Sequence, residues 1–107
     1  MIEKKFSFTR GNEKMIEKVI SDENVMINHM VLPQGTGLPE HYSNSNVYMI
    51  IVRGQMSIKL GEQEVQIYDA GDIINIPFNI KMLVTNAHED VLEFFVVKAP
   101  HPDTMVK

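Results

Sequence analysis

Four histidines, one glutamate set in an apolar run and eight methionines are the residues of this 107-residue chain that could carry chemistry. His41 follows the Gly35-Thr36-Gly37 loop and Pro39-Glu40, where a loop feeds a strand and functional groups often sit. It either hydrogen-bonds a neighbour or anchors a carboxylate or hydroxyl of a bound small molecule, since apolar sites use a few placed polar groups. His29 shares the parity of Val25, Ile27 and Val31 in the run from Val25 to Leu32. It therefore lies either at a sheet interface or in a shared site with His41. Glu93 is the only charged residue between Val91 and Val97. It sits at a wet margin, or it enters a pocket and forms an acid/base couple with His41 or His29. His88 lies in a turn and His101 between two prolines, and both read as solvated. Met49, Met56 and Met82 are expected either to pack in the core or to line a soft, adaptable cavity.

These side chains must be positioned by strands. The apolar pattern is short, punctuated and period-two, which predicts an all-β fold. The expected strands are Met15 to Ile20, Val25 to Leu32, Val47 to Val52, Met56 to Leu60, Val65 to Tyr68, Ile73 to Ile76, Ile80 to Thr85 and Val91 to Lys98. Ser21-Asp22-Glu23-Asn24 favours a turn and makes the first two runs a hairpin. Glu13 to Ile20 has a helix-compatible composition, but the hairpin signal favours a strand. Short strands at this spacing suggest a closed barrel or double-sheet jelly roll. Val91 to Val97 is apolar on both parities and so is expected to be covered on both faces. The tail from His101 to Lys107 is either a loose end or a clasp on a partner.

Two stretches carry a spaced signature. The first reads Gly35, five residues, His41, one, Ser43, three, Val47, six, Gly54; the second reads Gly71, five, Pro77, one, Asn79, two, Met82, three, Asn86. The pattern resembles the two-part signature of the cupin family, in which Gly, five, His, one, His, three or four, Glu, six, Gly is followed by Gly, five, Pro, one, Gly, two, His, three, Asn. The resemblance implies a cupin-type jelly-roll β-barrel, usually dimeric, whose site holds a divalent metal through three imidazoles and a carboxylate. Only His41 stands at a ligand position here, while Ser43, Val47 and Met82 occupy the other three. Valine offers no ligating atom, and a thioether suits the hard or borderline metals of such sites poorly.

Composition narrows the field. A formal charge of −4 and ten Lys and Arg residues without a basic run disfavour nucleic acid and acidic membrane surfaces. The absence of cysteine removes disulfide and thiolate chemistry. Met1 to Arg10 lacks the apolar segment of a signal peptide, and no run approaches the ~20 apolar residues of a membrane span, so a cytoplasmic location is expected.

The expected protein is a single barrel domain over 1–107, with an N-terminal strand region over 1–24, the barrel core over 25–100 and a tail over 101–107. It binds a small organic molecule in a pocket of His41, Ser43, Val47, Met49, Met56, Asn79 and Met82, forms a homodimer and needs no obligatory metal or other cofactor. The alternative is a metal-dependent dioxygenase or isomerase with a rearranged ligand set drawn from His41, His29 and Glu93.

Overall fold

Asp22 makes the first turn: its carboxylate accepts hydrogen bonds from the backbone N–H groups of Asn24 at 2.8 Å and Val25 at 3.0 Å. In a computed structural model, which describes residues 1–106, this turn joins β1 (Met15–Ser21) to β2 (Met26–Leu32) in an antiparallel hairpin. The helix alternative for Glu13 to Ile20 is thereby set aside. The chain continues through β3 (His41–Tyr42), β4 (Val47–Arg53), β5 (Gln55–Leu60), β6 (Gln66–Asp69), β7 (Ile73–Ile76), β8 (Lys81–Thr85) and β9 (Leu92–Lys98), and ends in a 3₁₀ turn at Pro102–Val106. All eight expected strands are present. The two-residue β3 was not anticipated, being too short to show alternation.

The strands form two antiparallel sheets, ordered β1-β2-β9-β4-β7 and β3-β8-β5-β6. Their facing sides build one core from Leu32, Met49, Ile51, Met56, Ile58, Ile76, Val84, Leu92 and Phe94, all nearly inaccessible to solvent. Strand alternation then fixes direction. In β9 the even positions Leu92, Phe94 and Val96 are buried in the core, so Glu93, Phe95 and Val97 face the other side of the sheet. In β2, Met30 and Leu32 enter the core, and His29 faces outward opposite Phe95.

The segment before β1 lies on that outer face. The Phe8 ring packs 4.7 Å from the His29 ring and edge-on to Phe95 at 4.9 Å. Thr9 donates to Glu17 from its backbone N–H at 2.7 Å and its hydroxyl at 2.8 Å. Arg53 reaches back to the Gly11 carbonyl at 2.7 Å and the Asn12 side chain at 2.5 Å. Part of the doubly apolar β9 is thus covered by the chain's own N-terminal segment.

Candidate functional site

An apolar cavity of about 280 Å³ opens between the sheets. Strand parity brings Met30, Met49, Val47 and Val96 into it from the five-stranded sheet, Met82 enters from β8, and Leu38, His41 and Ser43 close it from β3 and its flanks. Of the seven expected pocket residues, His41, Ser43, Val47, Met49 and Met82 line this cavity. Met56 does not: its fully buried side chain belongs to the core. Asn79 does not either, because it is an exposed turn residue with φ 65°. It stands at a glycine position of the motif, and asparagine is one of the few other residues that tolerate left-handed backbone.

Hydrogen bonding sorts the remaining polar groups. Ser43 is committed: its hydroxyl donates to the Pro77 carbonyl at 2.6 Å and accepts from the Ile80 N–H at 2.8 Å, while its carbonyl accepts from the Asn79 N–H at 2.9 Å. It stitches the two motif segments together and has no hydrogen left for a ligand. His41 is exposed, and its Nδ1 lies 2.9 Å from the Pro39 carbonyl. A carbonyl can only accept, so Nδ1 carries the hydrogen and Nε2 is left free of that bond. Asn86, which closes the second motif, is also structural. Its buried amide donates to the Leu32 and Asp90 carbonyls at 2.8 and 2.9 Å and accepts from the His88 N–H at 2.9 Å.

Lys98 is the cavity residue that the motif reading missed. It shares the parity of Leu92, Phe94 and Val96, so alternation along β9 would have found it. Half-burial in this apolar wall pushes its ammonium pKa down, and the like charge of Lys18 pushes in the same direction.

His29 and Glu93 meet each other and not the cavity. His29 is fully buried, with Nε2 at 2.7 Å from Glu93 and Nδ1 at 3.1 Å from Glu17. Glu93 also accepts from the Arg53 guanidinium at 3.1 Å. The whole cluster lies on the outer face of the five-stranded sheet, on the opposite side from His41. The expected solvation of the other histidines is also corrected, since His88 Nε2 lies 3.1 Å from the Ser57 hydroxyl and His101 Nε2 3.0 Å from that of Ser21.

No family model matches the chain. It is 52% identical over 103 residues to the uncharacterized protein MJ0764 of Methanocaldococcus jannaschii, covering 95% of this chain and 89% of that protein. A crystal structure of an RmlC-like cupin family protein with a double-stranded β-helix fold, from the same organism, superposes with a TM-score of 0.96 at 50% identity, over 100% of this chain and 99% of that one. The chain belongs to the cupin superfamily. A cupin superfamily protein from Desulfitobacterium hafniense shares the fold at 12% identity, with a TM-score of 0.73 over 87% of this chain and 83% of that one.

The metal common in cupins does not fit the residues present here. His41 and Met82 are register partners on β3 and β8, so the two ligand positions adjoin as the fold requires. Yet one offers an imidazole and the other a buried thioether, Ser43 has its hydroxyl committed, and Val47 has no donor atom. Among the described residues, no group of three or more His, Cys, Asp or Glu side chains is placed to hold a metal ion. No helix among them is long and apolar enough to cross a membrane.

Proposed function

We propose that this cupin binds a small organic molecule in its methionine-lined cavity, without an obligatory metal. The observation that carries the reading is the cavity itself: it is walled by Met30, Met49, Met82, Leu38, Val47 and Val96 and retains few polar groups not already engaged. Its volume of about 280 Å³ exceeds the ~150 Å³ at which an apolar protein cavity takes up benzene, so a molecule of one or two rings, or a short chain, is the matching size. Flexible methionines let such a wall adjust to ligand shape.

Naphthalene, an uncharged two-ring probe, is expected to bind the native protein and raise its thermal midpoint, because a ligand of the folded state alone must do so. Val47→Trp fills the cavity and is expected to abolish that shift. Divalent manganese, iron, nickel, copper and zinc are expected to leave the midpoint unchanged. A protein indifferent to naphthalene but stabilised by one of these metals would sink the proposal in favour of the metal-dependent enzyme.

The same reading includes a homodimer formed through the outer face of the five-stranded sheet. Tyr48, Val52 and Ile73, at 39, 47 and 63% exposure, form an apolar area on neighbouring strands β4 and β7 that the N-terminal segment does not cover. Contiguous apolar surface of this kind marks interaction sites. Light scattering is expected to give twice the chain mass, and Ile73→Glu to give the monomer; a monomeric native protein would exclude the dimer.

A further inference from the structure

We propose that the cavity's ligand carries a carboxylate, held at the open end of β1, β2 and β9 by Lys98, Lys18 and Asn28, with its apolar portion lying among the methionines. The inference rests on the cavity being a ligand site and adds the chemical class of the ligand. Three observations carry it. First, the half-buried Lys98 is the one cationic side chain that lines a wall otherwise made almost wholly of hydrocarbon. Among the described residues no carboxylate forms an ion pair with it.

Second, Lys18 adds a like charge to the same end. It is paired with Asn28 across β1 and β2 and lies close enough to Lys98 to disfavour its charged form. Two cations held near each other without an acid form a local excess of positive charge, which a bound anion relieves. Third, the Asn28 side-chain oxygen is buried and has no hydrogen-bond partner, the only such side-chain atom found among the described residues. Asn28 shares the inward parity of Met30 and Leu32, and its register partner on β9 is Val96, a cavity residue. A buried amide oxygen without a partner is costly in a stable fold and needs an explanation. Because the two ends of an asparagine amide exchange by a simple flip, the same group can donate an N–H to a carboxylate oxygen.

A carboxylate suits this end better than a dianion does. One half-buried ammonium, one amide and one exposed lysine offer few donors, enough for two oxygens but not for a phosphate's larger demand. The size of the cavity sets the rest: a chain or ring system of moderate length with its head at the rim.

The test compares octanoate, octanol and octylamine, which share a chain and differ in head, by titration calorimetry on the native protein. Octanoate is expected to bind most tightly and octylamine least, with the octanoate advantage shrinking as salt rises. Lys98→Met, which keeps the apolar stem and removes the charge, is expected to weaken octanoate about tenfold or more while leaving octanol nearly unchanged. Asn28→Leu is expected to weaken octanoate as well but to raise the thermal midpoint of the unliganded protein, a split that a purely structural asparagine would not give. Equal affinity for octanoate and octanol, unaltered in Lys98→Met, would overturn the carboxylate while leaving the apolar site intact. Failure of all three compounds and of naphthalene would overturn both.

Discussion

Replacing His29 with alanine lowers the thermal midpoint by roughly 12 °C or more, the largest loss expected from any single side chain outside the hydrophobic core. The imidazole is wholly buried between Glu17 and Glu93 and is stacked against Phe8 and Phe95 at 4.7 and 4.9 Å. Each ring nitrogen faces one carboxylate, Nε2 at 2.7 Å from Glu93 and Nδ1 at 3.1 Å from Glu17. Without the imidazole, Glu93 keeps only Arg53, Glu17 keeps only Thr9, and a ring-sized void opens beneath the N-terminal segment. Truncating a fully buried ring to alanine costs about 3–5 kcal/mol, and each kcal/mol shifts the midpoint of a domain this size by about 4–8 °C. Calorimetry on His29→Ala provides the check, and a midpoint within ~2 °C of the native one would show that the cluster does not hold the segment.

The same cluster predicts a direction in acid. Hydrogen bonds from Thr9, and secondarily from His29, hold the Glu17 carboxyl below its ordinary pKa of 4.5. A group whose pKa is lower folded than unfolded stabilises fully above the unfolded value and loses that contribution as pH falls through the folded one. The stability difference between native protein and Glu17→Gln is therefore expected to be complete at pH 6 and to narrow below about pH 4.5.

Gly54→Ala is expected to prevent stable folding. Gly54 has φ 79°, and an added Cβ would overlap the Val91 carbonyl oxygen and lie 3.0 Å from the Leu92 Cα, both backbone atoms that cannot rotate away. Left-handed backbone alone costs an L-residue about 1–2 kcal/mol. The collision adds to that by pushing β4 and β5 away from the start of β9. Gly61 separates the two effects: its φ is 54° and nothing lies within 4 Å of the added atom, so Gly61→Ala should lose only about 1 kcal/mol. Urea denaturation of the two variants gives the comparison. Equal midpoints would mean that the Gly54 turn shifts freely, against the close approach seen here.

These glycines also show why the motif was readable. Gly54 closes the first motif because the backbone of β9 passes too near for any side chain, and Asn79 replaces a glycine because its backbone is left-handed. Such constraints act at single residues, so they leave a mark at a fixed place in the chain. Most of the cavity lining was legible on the same basis, since five of the seven expected residues, His41, Ser43, Val47, Met49 and Met82, line it. Met56 was misplaced because a buried methionine looks the same in sequence whether it fills a core or lines a void. Ser43 was expected as a free polar contact, and only its partners Pro77 and Ile80, more than thirty residues away, show that it is spent on holding the fold.

By itself, the sequence determined eight of the strands along the chain, the hairpin at Ser21–Asn24, the cupin resemblance and the loss of three ligand positions, because alternation, turn chemistry and residue identity are local properties. Tertiary structure alone decided that His29 and Glu93 face away from His41. It also set Lys18 opposite Asn28 and brought Lys18 near Lys98, and it left the Asn28 side-chain oxygen without a hydrogen-bond partner. Those outcomes depend on the register between strands far apart in the chain, and a shift of one residue would send each side chain to the opposite face.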